Sequence, residues 1–183
     1  RSCRVSSTAL VSFERNRYSV ECRHAGCTVA LRAYADRIVV VAEGRVIGEH
    51  ARRFDRYQTV YNPWHYVPAL EHKPGALRNG APFKDWVLPR AIEKVRGRLR
   101  GAADGDRQMV EILAAAMTDA LHAVEAACAE ALENGVHSAD VVLNILARRR
   151  DPEPPAPIAT PATLRLRLAP RAGPWGRPEK VTP

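Results

Sequence analysis

Catalysis needs ionisable or nucleophilic side chains brought to one point, and this sequence offers few such sets. Acidic pairs occur at Asp36 with Glu43, beside adjacent turns, and at Asp104 with Asp106, ahead of a helical stretch. Two-metal phosphoryl transfer requires three or four carboxylates converging on ions about 4 Å apart. Nothing in the spacing suggests that convergence, and helix capping accounts for Asp104 and Asp106. Cys22, His24 and Cys27 crowd one turn, but a zinc site takes four ligands and the chain has no C-x-x-C pair. The remaining histidines, His50, His65, His72, His122 and His137, are scattered. There is no G-x-S-x-G elbow, P-loop or dinucleotide fingerprint. The residues by themselves read as non-catalytic, with no metal site and no cofactor.

What remains is charge. The 183 residues carry a formal net charge of +8, and 28 are Lys or Arg. The excess lies in residues 1–100, whereas residues 101–150 are net acidic. A basic segment fits an anionic partner, of which nucleic acid is the commonest. All but four of the basic residues are Arg, the side chain suited to bidentate phosphate contact. The candidates for DNA-phosphate contact are Arg15, Arg17, Arg52, Arg53, Arg56, Lys73, Arg78 and Lys84. Aromatic residues stand among them: Phe54, Tyr57, Tyr61, Trp64, Tyr66 and Phe83. Together they have the composition of a nucleic-acid groove, although packing of the aromatics over a neighbouring core is the favoured use of the rings.

The elements that must position these residues are legible from periodicity. Val5 to His50 reads as five short strands: Thr8–Phe13, Tyr18–Cys22, Thr28–Tyr34, Ile38–Ala42 and Val46–His50. Polar or Gly-containing links separate them, which predicts an antiparallel meander. Closure into a small five-stranded β-barrel would remove its edges. Residues 56–88 hold several Pro and Gly residues and no room for a long helix. Pro89 opens a helix over Arg90–Arg100. Asp104 or Asp106 caps the next, with a stripe at Met109, Ile112, Leu113, Ala116 and Met117. The stripe resumes after Thr118-Asp119 through Leu121, Val124, Cys128 and Leu132, and Asn134-Gly135 ends it. Ser138 opens a last helix, Ala139–Arg149, with Val142, Leu143, Ile145 and Leu146 inward. A helix-turn-helix reading of the last pair lacks early basic residues on its second helix, so a helical bundle is expected. Residues 151–183 form a Pro-rich tail with an alternating stretch at Leu164–Leu168.

The predicted class is therefore α+β. Residues 1–55 form a small β-barrel and 56–88 an aromatic, Pro-rich connection; 89–150 form a helical bundle and 151–183 a tail. No apolar run approaches the roughly 20 residues of a membrane span. The expectation is a soluble, cytoplasmic chain, and the abrupt start at Arg1 suggests a piece of a longer protein.

Several stretches carry a family resemblance: Val5–Phe13, Asn16–Val20, Ala33–Val41, Lys73–Phe83 and Ser138–Arg150. Over at least Val5 to Thr160 the chain resembles the C-terminal region of the large transposase subunit (IstA type) of the insertion-sequence twenty-one family, among the DDE transposases related to Mu transposase. The resemblance implies an upstream RNase H-like domain that carries the catalytic carboxylates and magnesium, so no residue here inherits a catalytic role. It further implies DNA, at transposon ends or target, as a partner. The other implied partners are transposase subunits in a homo-oligomer and a AAA+ ATPase helper (IstB type). A module serving only subunit or helper contact is the alternative.

Overall fold

A computed structural model describes residues 1–150, which form one compact unit. The tail, including Leu164–Leu168, lies outside the described residues. Among the described residues seven strands and six α-helices follow in order: β1 Ser2–Arg4, β2 Leu10–Phe13, β3 Asn16–Ser19, β4 Thr28–Ala33, β5 Arg37–Ala42, β6 Arg45–Ala51, β7 Thr59–Val60, then α1 Val67–Leu70, α2 Ala76–Asn79, α3 Arg90–Leu99, α4 Gly105–Thr118, α5 Leu121–Glu133 and α6 Ala139–Arg150.

The class is α+β as expected, but among the described residues the strands make two sheets and no closed barrel. One sheet has the order β1-β4-β5-β6, all antiparallel; the other is β2-β3-β7, with β3 and β7 parallel. The expected meander breaks between β3 and β4 for a local reason. Beyond β3, the Val20 amide still donates to Ala9, but the Glu21 amide donates to the Ile47 carbonyl of β6. A 3-10 turn at Cys22–His24 then turns the chain away, and β4 pairs with β1 instead. The crossing at β6 is close. A Cβ on Gly48 would lie 2.9 Å from the Ser19 carbonyl oxygen, so this strand position accepts no side chain without movement.

Period-two alternation decides which strand residues enter the core. In β4, Val29 and Leu31 point inward between exposed Thr28, Ala30 and Arg32. They join Tyr18, Ile38, Val40 and Ile47 in one cluster. The β2–β3 and β5–β6 hairpins turn on left-handed residues, Glu14-Arg15 (φ 47° and 65°) and Glu43-Gly44 (φ 49° and 79°). That backbone suits the twist of two-residue hairpins.

The second core belongs to the helices. Ile92, Val95 and Leu99 of α3 meet Met109, Ile112 and Leu113 of α4, with α5 and α6 closing the bundle. The α4 stripe departs from its expected course at two places: Val110, in its first half, is buried, and Met117, near its end, is 53% exposed. Helix ends are sealed between elements. Ala91 and Ile92 amides of α3 donate to the Glu125 carboxylate of α5 at 2.9 and 3.2 Å, supplying the cap that Pro89 lacks. The Ala139 amide of α6 donates to Gln108 Oε1 of α4. Asp104 stands at the start of α4 but accepts from the Gln108 side chain and makes no side-chain cap. The arginines ending α6 are paired across helices: Arg148 and Arg149 with Glu130, Arg150 with Asp119. Among the described residues no helix is long and apolar enough to cross a membrane.

Candidate nucleic-acid interface

The tip of the β2–β3 hairpin organises the basic surface, and a buried amide holds it together. Asn16 opens β3 and is 1% exposed. Its Nδ2 donates to the carbonyls of Arg53 (3.0 Å) and Asp55 (2.6 Å), and its Oδ1 accepts from the Gln58 amide (2.9 Å). Backbone bonds continue the clamp: Tyr57 N–H to Arg15 O at 3.1 Å and Arg17 N–H to Gln58 O at 2.9 Å. The loop after β6 is thereby laid alongside the hairpin, which leads into the β3–β7 pairing. Asn16 supplies three of the bonds that hold residues 53–58, beside these backbone bonds and the Arg53 amide bond to the Tyr18 hydroxyl at 3.0 Å.

The eight basic candidates divide into three groups. Arg15, Arg17, Arg53 and Arg56 are exposed around the clamp, and among the described residues none has a carboxylate within 4 Å. Arg52 and Arg78 are committed elsewhere. The Arg52 guanidinium donates to both oxygens of Glu14 (3.0 and 2.9 Å) and to the Tyr34 carbonyl, and it lies over the Phe13 and Phe54 rings. Arg78 Nε donates to Asp106 at 2.8 Å. Lys73 and Lys84 are exposed on the segment between β7 and α3, apart from the clamp in the chain. A further row missed by sequence reasoning runs along α3, where Arg90, Lys94 and Arg98 are exposed at four-residue spacing. The i, i+4, i+8 pattern was its signal.

The aromatics also divide. Trp64, Trp86, Tyr66 and Phe83 contact one another edge-on or tilted, with ring centroids 5.0–6.4 Å apart. They pack against the helical core and not over the strand core where a barrel cover was expected. Phe54 and Tyr57, by contrast, are 75% and 76% exposed.

A second polar cluster ties the aromatic segment to the sheets. Ser19, 0% exposed, accepts from the Asn62 amide at its Oγ (2.8 Å), and the same Oγ lies 2.9 Å from His65 Nδ1. The Nε2 of His50 bonds the Ser19 carbonyl at 2.6 Å, and the two imidazoles meet edge-on at 5.5 Å. A neutral His65 with its proton on Nδ1 satisfies the arrangement, donating to Ser19 and accepting from Asn62 Nδ2. Burial lowers the pKa of both rings. For His65, burial and the neighbouring His50 bring it to about 4, against the opposing pull of Glu21.

Because the unfolded ring titrates near 6.5, the unfolded chain binds the proton first as pH falls. His65 then contributes full stability above about pH 6.5 and loses it progressively down to about pH 4. After allowance for the solvent that reaches this half-buried ring, the expected loss is about 1–2 kcal/mol. Urea unfolding at pH 7 and pH 5 should show it. His65→Gln should give a shallower pH dependence, and an unchanged slope in that variant would remove His65 as the cause.

Among the described residues no group of three or more His, Cys, Asp or Glu side chains is placed to hold a metal ion. Cys22 and His24 lie in the 3-10 turn, and Cys27 is exposed three residues beyond it. Burial raises the Cys128 thiol to about 12, which leaves it inert at neutral pH.

Residues 1–62, the two sheets and the clamp, match the family described as Mu transposase, C-terminal domain. Two proteins described as "Transposase for insertion sequences IS1326/IS1353", from Pseudomonas aeruginosa and Shigella flexneri, are 47% identical over 174 residues, covering 92% of this chain and 34% of theirs. A "Transposase" from Aminobacter aminovorans is 43% identical over 176 residues, with the same shares covered. The chain thus spans about a third of the length of the curated relatives it matches. No solved structure matches it. The chain is thus similar to the C-terminal region of insertion-sequence transposases, and its residues 1–62 match the Mu transposase C-terminal domain.

Proposed function

We propose that this region is a non-catalytic DNA-contacting part of its transposase, gripping phosphates of transposon-end or target DNA and supporting assembly of the transposition complex. The observation that carries the reading is the set of four arginines, Arg15, Arg17, Arg53 and Arg56, gathered around one buried clamp with no carboxylate partner among the described residues. A guanidinium free of an internal carboxylate keeps its donors for phosphate oxygens. Such contacts fix register and orientation on a duplex and read no sequence. Chemistry on the DNA strand is assigned to carboxylates outside this chain.

Duplex binding as a function of salt tests it. Each phosphate neutralised contributes about 0.9 to the slope of log K against log salt. Changing the four arginines to Gln is expected to make that slope shallower by roughly 3 and to weaken binding tenfold or more at moderate salt. Arg78→Gln, which removes a residue already paired with Asp106, should change both far less. A folded wild-type chain that fails to bind duplex at low salt would reject the reading. It would favour contact with transposase subunits or a AAA+ helper. The apolar cavity of about 390 Å³ lined by Ala9, Tyr61, Tyr66, Leu70 and Phe83 is the feature that suits that second role.

A further inference from the structure

The phosphate contacts leave the two most exposed aromatic side chains of the described residues without a use. Phe54 and Tyr57 stand on the clamped loop, three residues apart, among Arg53, Arg56 and the hairpin arginines. Both rings are three-quarters in water within a four-residue stretch of one loop, which makes them available to a ligand. These two are also held in place. Tyr57 has φ of 63°, a conformation a bulky side chain keeps only where its surroundings impose it. Those surroundings are the Tyr57 amide bond to Arg15 and the Asn16 bonds on either side of it. Phe54 is propped from one side by the Arg52 guanidinium, 5.2 Å from its centroid, and Arg52 is itself fixed by Glu14.

We propose that Phe54 and Tyr57 form a stacking platform for unpaired DNA bases, placed beside the arginines that hold the flanking phosphates. The proposal rests on the DNA-contact reading and deepens it. Ring faces surrounded by cations are the chemistry that single-stranded nucleic acid meets, since every base has a π-face and every linkage a charge. An intact duplex keeps its base faces inside the stack, so the two rings gain little from it. Their ligand is a base already out of the helix, at a gap, a nicked junction or a kinked step. An acidic peptide would satisfy the arginines but leaves both exposed rings without a use.

The test compares a duplex with the same duplex interrupted by a short central gap that carries 2-aminopurine. Wild-type protein should bind the gapped DNA more tightly and quench the 2-aminopurine fluorescence. The double variant Phe54→Ala/Tyr57→Ala should lose roughly 10- to 100-fold on the gapped DNA and the quenching with it. Its duplex affinity should stay within about twofold and its salt slope unchanged, because the cations are intact. Wild-type binding with no preference for the gap, or equal losses on both substrates, would overturn the stacking platform and leave the phosphate contacts standing. Absence of any DNA binding by folded protein would remove both.

Discussion

Asn16→Ala is expected to lower stability by about 2–4 kcal/mol, a large effect for one small polar side chain. The amide spends both donors and its carbonyl oxygen on backbone groups of residues 53–58, at 1% exposure. Truncation removes three hydrogen bonds and leaves two carbonyls and one amide with no side-chain partner in a place water reaches poorly. The loop then keeps its backbone bonds to Arg15 and Arg17 and the Arg53 amide bond to the Tyr18 hydroxyl. Asn16→Asp separates loss of packing from loss of hydrogen bonds. The carboxylate still accepts from Gln58 but cannot donate to Arg53 and Asp55, and it sets oxygen against oxygen. It should be at least as destabilising at neutral pH and recover in part under mildly acidic conditions, where the carboxyl protonates and regains one donor. Because the clamp carries Arg53 and Arg56, both variants should also weaken duplex binding and admit trypsin at those two arginines. Chemical denaturation and limited proteolysis read the two effects separately. A loss under about 0.5 kcal/mol with no new cleavage would show that the loop holds its path without Asn16.

What was legible in the sequence followed from local pattern. Four of the five expected strands and the helices α3 to α6 form close to their expected places, whereas the expected Tyr18–Cys22 strand forms as Asn16–Ser19, taking in Asn16 and Arg17 from the expected link and losing Cys22 to a 3-10 turn. Two strands were not legible. Ser2–Arg4 has no alternation to read, and Thr59–Val60 is two residues that become a strand only because Arg17 and Tyr18 lie beside them. The barrel expectation failed at a single place, where Glu21 bonds β6 and a short turn redirects the chain before β4. Choice of strand partner is a long-range event that no five-residue pattern encodes. The site behaved alike. Composition named eight basic residues, but Arg52 pairs with a carboxylate 38 positions away and Arg78 with one 28 positions away. Phe54 and Tyr57 look the same in sequence as Tyr66 and Phe83. Burial against the helical core distinguishes them, and that core is assembled from residues beyond position 66.

Two glycine-to-alanine changes in the helical half should act in opposite directions, and the larger should be severe. Gly105 opens α4 and is buried; a Cβ there would lie 1.8 Å from the Leu99 carbonyl oxygen and 2.8 Å from its carbon. Both contacts are backbone, so no rotamer change relieves them. The turn is held on both sides, by the Ala102 amide donating to Leu99 and the Gly105 amide to Ala102. Leu99 and Met109 anchor the flanking helices in one core, 3% and 1% exposed. Gly105→Ala must therefore shift a helix end by an ångström or more, and the expected loss is about 3–5 kcal/mol. Gly97 sits in the exposed middle of α3 with nothing within 4 Å of the same atom. There, Ala only restricts the unfolded chain and favours the helix, so Gly97→Ala should raise stability by about 0.5–1 kcal/mol. Thermal unfolding of the two variants beside wild type measures both signs at once. If Gly105→Ala melted with wild type, the approach of α4 to the end of α3 would have to be looser than described. If Gly97→Ala destabilised the chain, its surface would have to be covered by something the described residues do not contain. That position lies between Lys94 and Arg98 on the basic row of α3, so the same variant also probes whether that face is open.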